Sequence, residues 1–388
     1  MENSPRLYSE LVGLCGQPGP WRDVRHLHTL AWMVVGLIQA ECVKLTAWVP
    51  FGQGRAQYAQ STQRRFRRWL GNRRCEVAPR YGPLLQQALP EWGTHTRYLA
   101  LETSLVWTQY GLIRLAGVYR GRAVPIGWEV LEQGSSRVTH AAYEALLEEV
   151  PPWLPTGVKV VFLADRGFAD TALLAHWRRL GGHLRIRIKA TLRVRRSGQP
   201  AGKVEAFSLA PGRAVFLHNV AITTEQFGPV SVAFARHSSN GEYWYIVRDE
   251  PTSVHTCKEY GRRVTIEEHC LDDQSNGLQL ASALVRDADA LTRLCWVLAV
   301  ATLYLVAQGT QVVAQQQRRW GDPHWLRGHS YLRLGWQWVK PALTRGWELF
   351  ATLPLSGLPD PEPSRASASS PIPAPPVTFT QTICYTST

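Results

Sequence analysis

The run Val-Lys-Val-Val-Phe-Leu-Ala-Asp-Arg-Gly-Phe-Ala-Asp at residues 158–170 constrains the fold more than any other stretch of the chain. Continuous β-branched and aromatic residues without polar alternation suit a strand covered on both faces, as in an α/β sheet. The strand stops at Asp165, and residues 171–180 then carry a helical pattern. Asp165 is thereby placed at the carboxyl end of a buried strand, where open α/β sheets build their sites. A lone acid in that place serves equally well to cap the next helix or to pair with Arg166, so its meaning depends on its company.

Upstream, residues 97–107 form a second apolar strand that reaches an acid, Glu102, followed by small hydroxyl residues. Residues 110–119 and 123–131 read as two further strands joined across Arg120-Gly-Arg, which implies an antiparallel meander. Residues 139–150 are helical and are stopped by Pro151-Pro152, and 183–188 read as another strand. The order β-β-β-α-β-α-β is that of an RNase H-like mixed sheet. Short alternating segments at 214–223, 228–235 and 243–248 mark a β-rich insertion. The expected layout is an all-helical domain at 1–95, the first part of the α/β core at 96–192, the insertion at 193–256, and core completion with C-terminal helices at 257–356. Within that last part, helices are expected at 258–273, 278–308 and 320–350, with Trp325, Trp336, Trp338 and Trp347 as packing residues. From 357 to 388 Pro and Ser dominate, so a disordered tail dispensable for folding and binding is expected.

The formal charge is +13, from 43 Lys and Arg against 30 Asp and Glu, and the excess lies in short arginine clusters, which favours a polyanionic partner. The densest cluster follows Ser61: Phe66, Trp69 and Leu70 take one helix face, leaving Arg64, Arg65, Arg67 and Arg68, with Arg73 and Arg74 beyond. Short helices before a Gly turn and an Arg-rich helix after it suit a helix-turn-helix-like DNA-binding module. A solvated basic face is the plainer alternative. Seven cysteines without a CxxC pair point to reduced thiols inside a cell, not to a zinc module or disulfide framework. No signal peptide is read in residues 1–17, and a cytoplasmic, nucleoid-associated protein is expected. The apolar runs 30–38 and 294–307 fall short of the roughly 20 residues that span a bilayer and read as buried helices.

A third acid comes from Tyr260-Gly-Arg-Arg-Val-Thr-Ile-Glu-Glu-His-Cys-Leu-Asp-Asp-Gln. At about 100° per residue of a continuous helix, Tyr260, Arg263, Glu267 and Gln274 share a face. Two strand-end acids and one helix acid meet the needs of two-metal phosphoryl chemistry, in which carboxylates hold a pair of hard cations. Leu-Ala-Leu-Glu-Thr-Ser, Leu-Ala-Asp-Arg-Gly-Phe and Tyr-x2-Arg-x3-Glu-x6-Gln resemble the three blocks of bacterial insertion-sequence transposases of the DDE superfamily, in the group named for its Tyr-Arg-Glu-Lys signature. The resemblance implies a transposase that binds terminal inverted repeats in double-stranded DNA as a homodimer. Cleavage and strand transfer would then proceed through hairpin ends, with two Mg²⁺ ions or Mn²⁺ in their place. Carried over, it makes Glu102, Asp165 and Glu267 the catalytic metal ligands and Tyr260 and Arg263 phosphate contacts, and it offers Trp244 as a stacking partner for an unpaired base. Two residues depart from the pattern. Glu102 stands where the family has Asp, and Gln274 where it has Lys. A repurposed DNA-binding protein without catalysis, and an RNase H-like nuclease acting on another nucleic acid, are the alternatives.

Overall fold

The computed structural model describes residues 4–17, 19, 21–53, 58–135, 138–196, 198, 200–263, 266, 280–364 and 381–386. Strands β1 (Arg97–Val106), β2 (Tyr110–Tyr119) and β3 (Arg122–Glu132) form the expected meander. Arg120 and Gly121 turn the chain between β2 and β3 with φ of 46° and 82°, a left-handed pair that suits a two-residue hairpin. Strand β4 (Val160–Ala164) enters parallel beside β1, and β5 (His183–Arg187) parallel beside β4, giving the order β3-β2-β1-β4-β5.

The expected insertion is a direct extension of this sheet. Strands β6 (Arg193–Arg195), β7 (Gly202–Lys203), β8 (Arg213–Ile222), β9 (Phe227–Arg236) and β10 (Tyr243–Arg248) follow in the chain, and β10 adds antiparallel to β5. The sheet then continues β9-β8-β6-β7.

Among the described residues the N-terminal segment is helical: α1 (Ser4–Gly16), α2 (Val24–Ala40), α3 (Leu45–Trp48), α4 (Ala59–Leu70) and α5 (Ala78–Ala88). These helices do not keep a core of their own, as a boundary at 95 would require. Helix α2 is buried all along 29–38, more apolar surface than its short neighbours cover. Beyond α6 (His140–Glu149), α7 (Thr171–Arg179) and α8 (Val254–Gly261), the chain supplies the missing partner as α9 (Ala288–Ala314). Trp21 and Trp69 lie against Trp296 of α9, with ring centroids 5.9 and 5.4 Å away, and Arg293 donates to the Leu70 carbonyl at 2.9 Å.

Helix α9 is apolar around its whole circumference. Of the described helices it is the one long and apolar enough to cross a membrane by itself, yet its most apolar window is 94% buried within the protein. Its start differs from the expected 278, because Asp287 caps it by accepting from the Ala290 amide at 2.7 Å. The helical stretch expected at 320–350 shrinks to α10 (Tyr331–Arg345). Helices α9 and α10 cross at Gly309 and Gly335, so close that a Cβ on Gly309 would collide with the Tyr331 carbonyl and one on Gly335 with that of Leu305.

The tail departs most from its composition. Residues 357–362 are fastened to the fold: the Gly357 amide donates to Glu91 at 2.9 Å, Asp360 accepts from Arg327 and Tyr331, and Glu362 accepts from Arg318. Strand β11 (Gln381–Thr386) pairs in parallel with β8. Acidic residues set among the prolines find buried arginines, which compositional bias does not show. Because backbone meets backbone at the α9–α10 crossing, Gly309→Ala is expected to cost about 1–3 kcal/mol or more by overpacking. Thermal unfolding of that variant beside an exposed Gly202→Ala control, where a Cβ meets nothing within 4 Å, checks this.

Candidate active site

The last paired residues of the parallel β1–β4 ladder are Leu101 and Ala164. Glu102 and Asp165 follow one position on, so two carboxylates stand on neighbouring strands about 4.8 Å apart in backbone spacing. Both line an open cleft of about 640 Å³ together with Thr103, His140, Tyr143 and Lys189. Asp165 does not cap α7; Asp170 does, accepting from the Ala172 and Leu173 amides at 3.0 and 3.2 Å.

Tyr260 and Arg263 reach the same two acids. Tyr260 Oη donates to Asp165 Oδ1 at 3.4 Å, and Arg263 Nη1 donates to Glu102 Oε2 at 2.5 Å. The expected continuous helix is absent here, since α8 ends at Gly261. The Arg263 amide bonds the Tyr260 carbonyl at 2.9 Å and the Ile266 amide bonds that of Arg263 at 3.0 Å, both i to i−3. Tight turns of this kind eclipse side chains three apart, which puts Tyr260 and Arg263 on one side. Burial, opposed in part by Arg263, pushes the Tyr260 phenol well above its ordinary range, so it remains a donor. Ile266 is buried with Ala100, Val161 and Leu163 of β1 and β4. Glu267 and Gln274 lie outside the described residues.

Trp244 is not placed for base stacking. It is 9% exposed and packs edge-on to Tyr260 with centroids 5.7 Å apart, so it serves as the wall behind the tyrosine. Of the arginine cluster, Arg64, Arg67, Arg68 and Arg74 are exposed. Arg73 is exposed as well and pairs at the surface with Asp289 at 2.8 Å, whereas Arg65 is half-buried beside the Phe66 ring and donates to the Gln53 carbonyl. Sequence reading missed Lys189, which is exposed in the cleft and directly follows the 183–188 strand run. The strand-end logic that selected Asp165 applies equally to it.

Beside the cleft lies a buried ionic network. Arg185 of β5 is 1% exposed and bonds Glu259 at 2.8 Å, Glu250 at 2.5 Å and Asp249 at 3.4 Å; Arg248 joins Glu250 and Glu259. Tyr98 of β1 donates to Glu259 at 3.0 Å. His183, Asp249 and Glu250 would suit a metal by proximity alone. Lys159, Arg185 and Arg248 already neutralise these carboxylates, which makes the group an ion network instead.

No protein-family model and no curated protein matches the chain. Among solved structures, the chain is similar to a piggyBac transposase synaptic complex with hairpin DNA determined by cryo-EM. The TM-score is 0.41 at 9% identity, with 88% of this chain and 79% of that chain covered.

The network makes a pH prediction. Burial pushes the Glu250 carboxyl up, but its bonds to Lys159 and Arg185 prevail and hold it at about 2; Glu259, also buried, is likewise held below its ordinary value by Arg185. Groups depressed in the folded state stabilise it above their unfolded value, about 4.3 for Glu, and that stability is lost as pH falls toward 2. Glu259→Gln is expected to lose about 3 kcal/mol at neutral pH, because Arg185 keeps its buried charge with one partner fewer. It should also show a shallower fall in stability below pH 4.3 than the parent, measured by urea unfolding.

Proposed function

We propose that this chain is a metal-dependent DNA transposase of the DDE type, with β3-β2-β1-β4-β5 as an RNase H-like core. The observation that carries the reading is the meeting of three separate sequence blocks: Glu102 and Asp165, each one residue past the last β1–β4 pair, with Arg263 and Tyr260 bonded to them.

The donor set fits a hard divalent cation. It is dominated by carboxylate oxygens at the mouth of an open cleft, and the imidazole that also lines it, His140, is turned to Glu144 at 3.4 Å. Glu102 and Asp165 would hold Mg²⁺ or Mn²⁺, and Glu267, next in the chain after the anchored Ile266, is assigned as the third ligand. Bound there, such ions activate an attacking oxygen and stabilise the leaving one. The protein's own residues do the rest. Lys189 and Arg263 grip backbone phosphates, and Tyr260 orients the Asp165 carboxylate through its phenol. The exposed arginines 64, 67, 68 and 74 hold duplex flanking the cut, which we assign to a transposon's terminal inverted repeat bound by a homodimer.

A second reading rests on one contact. The Arg263–Glu102 pair occupies an oxygen that a cation would need, as it would in a DNA-binding protein that has lost catalysis. Mg²⁺-dependent cleavage of a duplex carrying the element's end separates the two. Cleavage by the parent protein is expected, with Asp165→Ala reducing it to background while end binding persists; if only Glu102→Asp cuts, the DNA-binding reading replaces the enzymatic one. Replacing Arg64, Arg67, Arg68 and Arg74 with Gln is expected to flatten the log–log salt dependence of duplex affinity by roughly 0.9 for each phosphate left without its arginine. An unchanged slope removes these residues from the DNA surface.

A further inference from the structure

Between α9 and α10 the chain makes an irregular loop that is held rigid from below. Arg318, buried, donates to the carbonyls of Asp322 and His324, both at 2.9 Å, and of Trp325 at 3.2 Å. Asp322, fully buried, accepts from the Gly328 and His329 amides at 2.7 and 3.2 Å. Arg327, also buried, bonds the His329 carbonyl at 2.5 Å and the Asp360 carboxylate at 2.7 Å. Glu362 closes the base by accepting from Arg318 at 2.5 Å.

This scaffold presents its apolar side chains outward. Trp325 is 87% exposed and Trp320 69%, although large aromatic rings are the side chains with most to gain from burial. The Arg319 guanidinium lies over the Trp325 ring at 5.0 Å, and Trp320 meets Trp347, itself covered by Arg345 at 5.0 Å. Between residues 315 and 347 the sole carboxylate is Asp322, which faces inward. The outer surface therefore sets indole rings beside Arg319 and Arg345. That chemistry suits a polyanion carrying flat rings, and a rigid loop loses little freedom on binding.

We propose that Trp325, braced by Arg319, is a stacking platform for unpaired bases of a DNA strand. The platform is separate from the cleft. Tyr331, which ends the loop, packs on Tyr119 at the β2–β3 turn, opposite the amino end of β1, whereas Glu102 and Asp165 face the carboxyl ends. The inference rests on the DNA reading above, and extends it by a contact that duplex alone does not satisfy, since a base must leave the stack to meet the ring.

The test is the affinity of the full chain for a short labelled oligothymidylate and for a blunt duplex, by fluorescence anisotropy. Trp325→Ala is expected to weaken the single strand by about 5- to 150-fold, as loss of one stacked base does. Trp325→Phe should keep most of the affinity, Arg319→Gln should lose part of it, and the duplex should bind as before. Unchanged single-strand affinity in Trp325→Ala overturns the proposal, as does an equal loss on both DNAs. A shift in oligomeric state without change in DNA affinity also overturns it, and assigns the surface to a second copy of the chain. None of these readings needs cleavage, so a protein that cuts no duplex leaves the platform testable, and failure of the platform leaves the cleft untouched.

Discussion

Arg185 is the cation on which the candidate site depends. A guanidinium buried in the sheet has a desolvation cost that one carboxylate rarely offsets, and breaking such a pair leaves a stranded charge. Here three acids from two different elements converge on it, and Arg248, Tyr98 and Lys159 satisfy their remaining oxygens. The consequence is positional more than energetic. Glu259 belongs to α8, so its bonds to β5, β10 and β1 set where that helix sits and how it is rotated. Tyr260 and Arg263, one and four residues on, then have little choice but to meet Asp165 and Glu102.

The second constraint is the parallel pairing of β1 with β4. Two strands far apart in sequence must register so that Leu101 opposes Ala164, or the two acids part company. Hydrophobic continuity on β4 and near-complete burial of β2 hold that register, because a one-residue slip would turn the apolar sets to the wrong faces. Helix α9 packs on β3 on one side and on the N-terminal helices on another, with Trp128 donating to the Thr292 carbonyl at 2.9 Å. Sheet and helices therefore form one core, and the arginine-bearing α4 is rigidly related to the cleft instead of being hung on a linker.

Much of this was legible in the residues themselves. Strands β1 to β5 and β8 to β10 fall within a few residues of where unbroken or alternating apolar runs put them, since periodicity reports directly on burial. Asp165 and Glu102 stood out as acids against apolar runs, although only Asp165 lies at a strand end while Glu102 sits within β1. What failed to show depended on tertiary partners. Trp244 looks the same in sequence whether it faces solvent or Tyr260, and Trp325 reads as a packing residue until Arg318 and Asp322 are seen turning its loop outward. That α9 covers α2 was not legible either, because apolar count alone does not say which chain segment covers a buried helix. The break of α8 after Gly261 was masked by a sequence that keeps helical spacing through a tight turn.

Glu102, at the position where the resembled family carries Asp, has a particular set of contacts in this setting. An extra methylene extends the carboxylate by about 1.5 Å by standard bond lengths. That reach brings Oε2 to Arg263, while Oε1 accepts from the Thr103 amide at 3.3 Å, so both oxygens are occupied. A cation on Glu102 would be repelled by the Arg263 guanidinium that shares the carboxylate, and Arg263 is the donor with somewhere else to go. A phosphate in the cleft would compete for its guanidinium, which forms bidentate bonds with phosphate as readily as with carboxylate. Release of Arg263 to a phosphate frees an oxygen of Glu102 in the same movement. Under the proposed reading, the longer acid would couple occupation of the cleft by a phosphate to the availability of its own oxygen.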